Sequence, residues 1–259
     1  VDLYSFAPIA AVLDAAYSVV TALAAAIEPL AGTASAAVAI VLITLALRLA
    51  LIPVGVSQVR AEYTRRRLAP RLQQLQRKYK KNPQLLQQKT MALYADEKTS
   101  PFAGMLPTLL QAPVLSIVYG LFLLPTINGH ANALLTEQLF GVPLGTSLAH
   151  LLATGRFGAD LLVFAGLLLV IGVVAFASRR TSLRFAAPLP EGAAPGAERV
   201  AAVLSWLPFL TVLFAALVPL AATVYLTVTT AWTLVERQVL RHRLAPAAPG
   251  GARAVDAPA

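Results

Sequence analysis

The sequence predicts an all-α polytopic membrane protein. Its parts are a five-helix transmembrane core, a cytoplasmic helical hairpin and an N-terminal extracytoplasmic interfacial helix. Three observations predict it. Of 259 residues, 58% are hydrophobic and only 13% charged, and the mean hydropathy is +0.70, too apolar for a soluble domain of this size. Several apolar runs reach the ~20 residues that a membrane crossing requires. The basic residues, finally, cluster in a few segments between those runs rather than being spread along the chain.

Residues 1–33 hold the first element. Within 8–30, Asp14, Tyr17, Ser18, Thr21 and Glu28 recur near the helical period, and Val12, Val19, Leu23, Ile27 and Leu30 fall largely away from them. This is the pattern of an amphipathic helix lying in the membrane interface; a span is the alternative. The stretch 34–56 (ASAAVAIVLITLALRLALIPVGV) is the first span, with Arg48 as its one charge and Pro53 near its end, where a kink is tolerable.

Residues 57–100 change character. They carry eleven Lys and Arg against Glu62, Asp96 and Glu97. Leu68, Leu72, Leu75 and Tyr79 form one apolar stripe, and Leu85, Leu86, Leu93 and Tyr94 a weaker second one. Asn82-Pro83 between them is a turn signal, so two antiparallel amphipathic helices are expected outside the bilayer. The second span covers 101–125, a sparsely charged loop 126–158, the third span 159–177 and a Pro/Gly/Ala-rich loop 178–199. Residues 200–235 are apolar almost throughout, about 54 Å of helix at ~1.5 Å per residue, too long for one crossing. Pro219 divides the run into a fourth span (200–218) and a fifth (219–235), leaving 236–259 as a basic tail expected to be disordered.

Charge fixes the count and the orientation. Eleven basic residues fall in 57–100, four in 178–199 and four in 236–259. Five spans put all three segments on one side, which the positive-inside rule makes cytoplasmic. The N-terminus is then outside and the C-terminus inside. A single span over 200–235 would place the basic tail on the wrong side.

Arg48 is the most informative residue. A central arginine costs about 2.5–3.5 kcal/mol on insertion scales, so such a residue faces a bundle interior or a water-filled cavity; snorkelling to the headgroups is the plainer alternative. Thr44 lies one turn earlier on the same face. No acidic residue stands within another span to pair with Arg48, which suggests hydrated surroundings or an acidic partner brought by a substrate. Gly104, Thr108, Gln111, Leu115 and Tyr119 share a face of the second span; Thr223, Thr227 and Thr230 stripe the fifth, with Tyr225 and Thr229 beside them. Each alone is ordinary helix–helix glue.

Other chemistries lack their residues. There is no cysteine, hence no thiolate metal site, and a lipid-attached form is not expected. His130, His150 and His242 have no metal-ligand spacing, no G-x-x-x-x-G-K run exists, and the spans hold neither histidine nor central carboxylates. No cofactor, metal or enzymatic activity is expected.

The run TLALRLALIP (44–53), the stretch LAPRLQQLQRKYKKNPQLLQQKTMALYADEKTSPFAGMLPTLLQAPVLSIVYGLF (68–122) and the segment PLAATVYLTVTTAWTLVERQVL (219–240) resemble, in order and spacing, the YidC/Oxa/Alb membrane protein insertases. The similarity covers about residues 34–240 and is greatest to the short Gram-positive, and especially actinobacterial, type. It implies a five-helix core around a hydrophilic groove, open to cytoplasm and lipid and closed to the outside. Arg48, Thr44, Gln111 and Tyr225 match its groove positions. The N-terminal segment matches an extracytoplasmic interfacial helix. There are departures: Leu226 stands where many members have a second aromatic, Thr230 where Asn is common, and Ala112 and Leu115 at positions that are bulkier in some members.

The implied function is insertion of client transmembrane segments into the bilayer without nucleotide hydrolysis, in a bacterial plasma membrane. Nascent membrane proteins are the implied partners, with the ribosome, a Sec-type translocon and anionic lipid as further ones. A small anion transporter or channel using Arg48 as an anion site is the competing reading; it predicts an internal repeat, and none is visible.

Overall fold

The structure is a computed structural model that describes residues 4, 6–100, 102, 109, 112–155, 158–186 and 196–245. Ten α-helices are described: α1 (Ala7–Ala31), α2 (Ser35–Ala50), α3 (Ile52–Lys78), α4 (Pro83–Asp96), α5 (Ala112–Leu123), α6 (Leu148–Ala153), α7 (Ala159–Phe185), α8 (Ala197–Leu204), α9 (Leu207–Leu217) and α10 (Leu220–Arg243). Two tiny antiparallel hairpins interrupt them, β1 (Thr126–Ile127) with β2 (His130–Ala131) and β3 (Gln138–Leu139) with β4 (Val142–Pro143).

Local chemistry sets the helix ends. Gly32 ends α1 at φ +53°, a conformation that glycine adopts without a Cβ penalty, and α1 packs back against α2. Leu51 separates α2 from α3. Pro53 falls in the first turn of α3, where its missing N–H is not needed. The first apolar run is therefore two helices with a break at Leu51. Asn82 caps α4 by accepting from the Leu85 amide at 3.0 Å. Pro219 lies between the end of α9 and the start of α10.

Two boundaries differ from expectation. The tail, expected to be disordered from Glu236, stays helical through Arg243. Helix α7 likewise runs on past Arg179 and Arg180 to Phe185. Both extensions are built of residues that tolerate helix and meet partners there, as the contacts below show.

By length and hydropathy, three described helical stretches suffice to cross a membrane: Ala7–Ala50, Ala159–Phe185 and Ala197–Leu217. The first comprises α1, the Gly32–Ala34 turn and α2. Helix α10 is long enough, at 24 residues, but Thr223, Thr227, Thr229, Thr230 and Thr233 lower its hydropathy.

Helices α2, α5 and α10 form the centre, with α1 against α2 and α5, and α7 against α9 and α10. Ala36, Ala37 and Ala39 of α2 and Ala221 and Ala222 of α10 are buried. These small residues let the two helices approach closely, the main source of packing energy where lipid surrounds a bundle. Leu162, Leu169, Val173 and Phe176 of α7 and Leu210, Leu213, Phe214 and Leu217 of α9 are exposed, an apolar surface suited to lipid contact.

One end of the bundle is capped by residues 126–147. Ile127, Leu134, Val142 and Leu144 are buried there. The Asn132 side chain donates to the carbonyls of Leu121 and Leu124 at 2.8 and 3.0 Å, satisfying groups at the α5 terminus that helix geometry leaves open. Leu144 and Thr146 carbonyls accept from the amides of Ala221 and Leu220, doing the same for α10. The polar stripe of α1 faces this cap: Asp14 lies 3.3 Å from His130, and the Tyr17 hydroxyl accepts from the Ala133 amide.

Candidate functional site

The other end of the bundle is built differently. Arg48, Leu51, Gly55, Gln58, Val59, Glu62, Arg65, Ser182, Thr233, Glu236, Arg237, Leu240 and Arg241 line an open cavity of about 530 Å³. The helix break at Leu51 positions its first wall, carrying Arg48 on α2 and Glu62 on α3. Helix α10 supplies the opposite wall, and Ser182 of α7 closes a side.

Arg48 is partly exposed, and its Nε donates to Thr229 Oγ1 at 3.3 Å. Snorkelling alone does not describe it: the guanidinium is held by a hydroxyl of the opposite helix. On α10, Thr229, Thr233, Glu236 and Leu240 follow at intervals of four, three and four, so they share the face turned to α2 and α3. Glu236 is held by Trp232, whose Nε1 donates to Oε2 at 2.9 Å. It lies beyond the fifth apolar stretch, and desolvation pushes its carboxyl above the usual range. Trp232, Arg48 and Arg237 pull the other way.

At the base of the cavity Arg241 is only 8% exposed. It grips Glu62 through three hydrogen bonds of 2.8 to 3.3 Å, lies 4.4 Å above the Phe185 ring and gives its carbonyl to the Tyr63 hydroxyl at 2.7 Å. Helix α3 is thereby tied to the ends of α7 and α10. This explains why α7 and α10 continue past their apolar runs.

The expected site residues do not all converge. Thr44 is buried and donates to its own helix at Ile40 O, 2.6 Å. Tyr225 is buried too, with its ring 6.0 Å from that of Phe122. These two share a second, apolar cavity of about 390 Å³ between α1, α2, α5 and α10. Arg48 is one turn away from it, in the polar cavity. Gln111, Gly104 and Thr108 lie outside the described residues, as does the Leu115 side chain; Tyr119 is exposed. Thr223, Thr227 and Thr230 bond to backbone carbonyls, mostly of their own helix, and Leu226 packs on the core. Thr229, not that stripe, meets Arg48.

Sequence reasoning missed Glu62, Glu236 and Arg241. The first was assigned to a solvated hairpin and the others to a disordered tail. Continuing the Tyr225–Thr229–Thr233 spacing one turn further would have found Glu236. Among the described residues no cluster of three or more His, Asp or Glu could hold a metal. The cavity offers instead an open space lined by both apolar and charged side chains, with Arg48 and Arg241 among them.

The chain is similar in sequence to known membrane proteins. Membrane protein insertase YidC of Clostridium perfringens is 39% identical over 85 residues, 33% of this chain and 36% of that protein. The insertase YidC of Zymomonas mobilis is 27% identical over 208 residues, 79% of this chain and 34% of that protein. That of Fusobacterium nucleatum is 28% identical over 127 residues, 40% and 62% of the two chains. The matched part thus spans about a third of the length of the first two relatives. The relatives and the apolar helices make this a multi-pass bacterial membrane protein. The profile of the 60Kd inner membrane protein family matches residues 27–247, and the chain belongs to that family.

Proposed function

We propose that this chain is a membrane protein insertase that accepts client transmembrane segments in the Arg48 cavity and releases them into lipid. The observation that carries the reading is Arg48 itself: a cationic side chain inside an apolar helix, opening on a polar cavity at one end of the bundle. A client's short acidic or polar tail loses less hydration there than in hydrocarbon. Its apolar segment then leaves between the core helices. No step requires nucleotide hydrolysis or a catalytic group.

The orientation follows from charge. Spans at 34–56, 101–125, 159–177, 200–218 and 219–235 put the basic segment 57–100 and the C-terminus in the cytoplasm and the N-terminus outside. The cavity end then faces the cytoplasm, and α1 with the loop cap faces out. Helices α3 and α4 form the cytoplasmic hairpin, whose charge suits anionic lipid and a ribosome; nascent membrane proteins are the clients, with or without a Sec-type translocon. Thr44 and Tyr225, in the adjoining apolar cavity, and Gln111 are the further client-binding residues of this reading. An anion channel would need an exit through the loop-capped end, where Leu134, Val142 and Leu144 are packed.

The test is insertion of a client with an acidic tail into liposomes holding the full chain. Arg48→Glu lowers insertion about ten-fold or more, equivalent to ~1.4 kcal/mol or above, and favours a basic-tailed client instead. Equal insertion by the wild type and the charge reversal would falsify the reading.

A further inference from the structure

We propose that Glu236 is a resident counter-ion of the Arg48 cavity, which an incoming client carboxylate must outcompete, so that Glu236 sets how strongly acidic clients are favoured. This rests on the insertase reading of Arg48.

Four observations carry it. Glu236 is the one acidic residue of α10, and it lines the same cavity as Arg48. It is held there from two sides. Trp232 Nε1 donates to Oε2. Oε1 lies against Gly55, where a Cβ would strike the carboxylate. Glycine at 55 therefore leaves this carboxylate the place that a Cβ would take.

The cavity's other carboxylate is committed elsewhere. Glu62 is bound by Arg241 in a bidentate pair, and Arg237 is exposed on the neighbouring residue of the helix. Glu236 is the cavity's carboxylate without a salt bridge among the described residues. Arg48, for its part, donates only through Nε to Thr229 among the described residues, so its terminal nitrogens stay available to a second acceptor. Arg48 acts on the charge of Glu236, yet the two do not form a contact ion pair. Both side chains line one open cavity of about 530 Å³, which another carboxylate can enter. A client that brings one meets an already compensated arginine and gains less than it would from Arg48 alone.

The full chain in liposomes tests this with two clients that differ only in an acidic or a neutral tail. The readout is the ratio of their insertion, with equal amounts of each variant in the membrane. Glu236→Gln is expected to raise the acidic-to-neutral ratio about three- to five-fold, the size of a partly screened charge interaction. The rise is expected to vanish when Arg48→Ala is combined with it. An unchanged or lower ratio in Glu236→Gln, while Arg48→Ala alone depresses acidic insertion, overturns the counter-ion and leaves the groove standing. A rise that persists without Arg48 also overturns it. If Arg48→Ala alone has no effect, the insertase reading of the cavity fails first, and the counter-ion with it.

Discussion

The two ends of the bundle solve opposite problems with the same helices. At the loop-capped end, helix termini are satisfied by fixed protein groups: Asn132 for α5, and Leu144 and Thr146 carbonyls for α10. The apolar residues beneath are buried. At the other end the helices run past their apolar stretches, and Arg48, Glu62, Arg65, Glu236, Arg237 and Arg241 line an open space. One end spends its polar groups on closure and the other leaves them to solvent and to whatever enters. Tyr225 and Arg48 are on facing helices at the core, yet the first is packed against Phe122 and the second opens on the cavity. Among the described residues, one end of the bundle is packed and the other carries an open, polar-lined cavity.

The largest effect expected from breaking this contrast is at the sealed end. Leu144 is fully buried and its carbonyl accepts from Ala221. Leu144→Ala leaves a void beside the α10 terminus and is expected to cost about 2–5 kcal/mol, read as a lower melting midpoint of the purified protein in detergent. Asn132→Ala strips two carbonyls of their donor and should cost about 1–3 kcal/mol. If both variants melt like the wild type, the cap does not close the bundle and the contrast between the ends is lost.

The two ends were not equally legible in the sequence. Apolar runs, the Asn82-Pro83 turn and the division at Pro219 could be read directly, because hydropathy and turn chemistry are local. Arg48 could be singled out too, since one charge in an apolar run is conspicuous by itself. Its surroundings could not. Thr229 was one of five threonines on α10, and only packing selects which of them faces α2. Glu62 and Arg241 are 179 positions apart, and each alone looks like part of a basic, solvated surface. The burial of Arg241 against Phe185 comes from where α7 ends, which no local pattern encodes. The cap was invisible for a similar reason: residues 126–147 are short strands and turns whose order comes from the helix ends they complete.

A middle-sized effect is expected at the Arg241–Glu62 pair. Removing one partner of a fully buried pair costs about 3–5 kcal/mol, because the remaining charge is stranded. Here the Glu62 side chain is 33% exposed, so solvent compensates part of the loss and Glu62→Gln should cost about 1–2 kcal/mol. The more telling readout is local. Hydrogen exchange is expected to rise in α3 near Tyr63 and in the last turn of α10, with the loop-capped end unchanged. Equal acceleration at both ends would mean that the ends are not independent, and the comparison above would have to be given up.

The smallest effect belongs to the exposed tie between α3 and the end of α4. Arg67 and Arg71 both bind Glu97 at 2.6 Å, bringing the far end of α4 back to α3. Their side chains are 66% and 63% exposed, so each pair contributes only about 0.2–1 kcal/mol and is screened by salt. Glu97→Gln should leave the melting midpoint nearly unchanged and loosen α4 from α3. Loosening would appear as faster protease cleavage near the Asn82 turn, and the difference from wild type should shrink as ionic strength rises. The buried Arg241–Glu62 tie, shielded by Phe185, should keep its protection in the same salt series. The hairpin is then held by two ties of different kind, a shielded one from α3 to α10 and an exposed one from α3 to the end of α4. Equal salt sensitivity of the two ties would remove that distinction, leaving both as ordinary surface pairs.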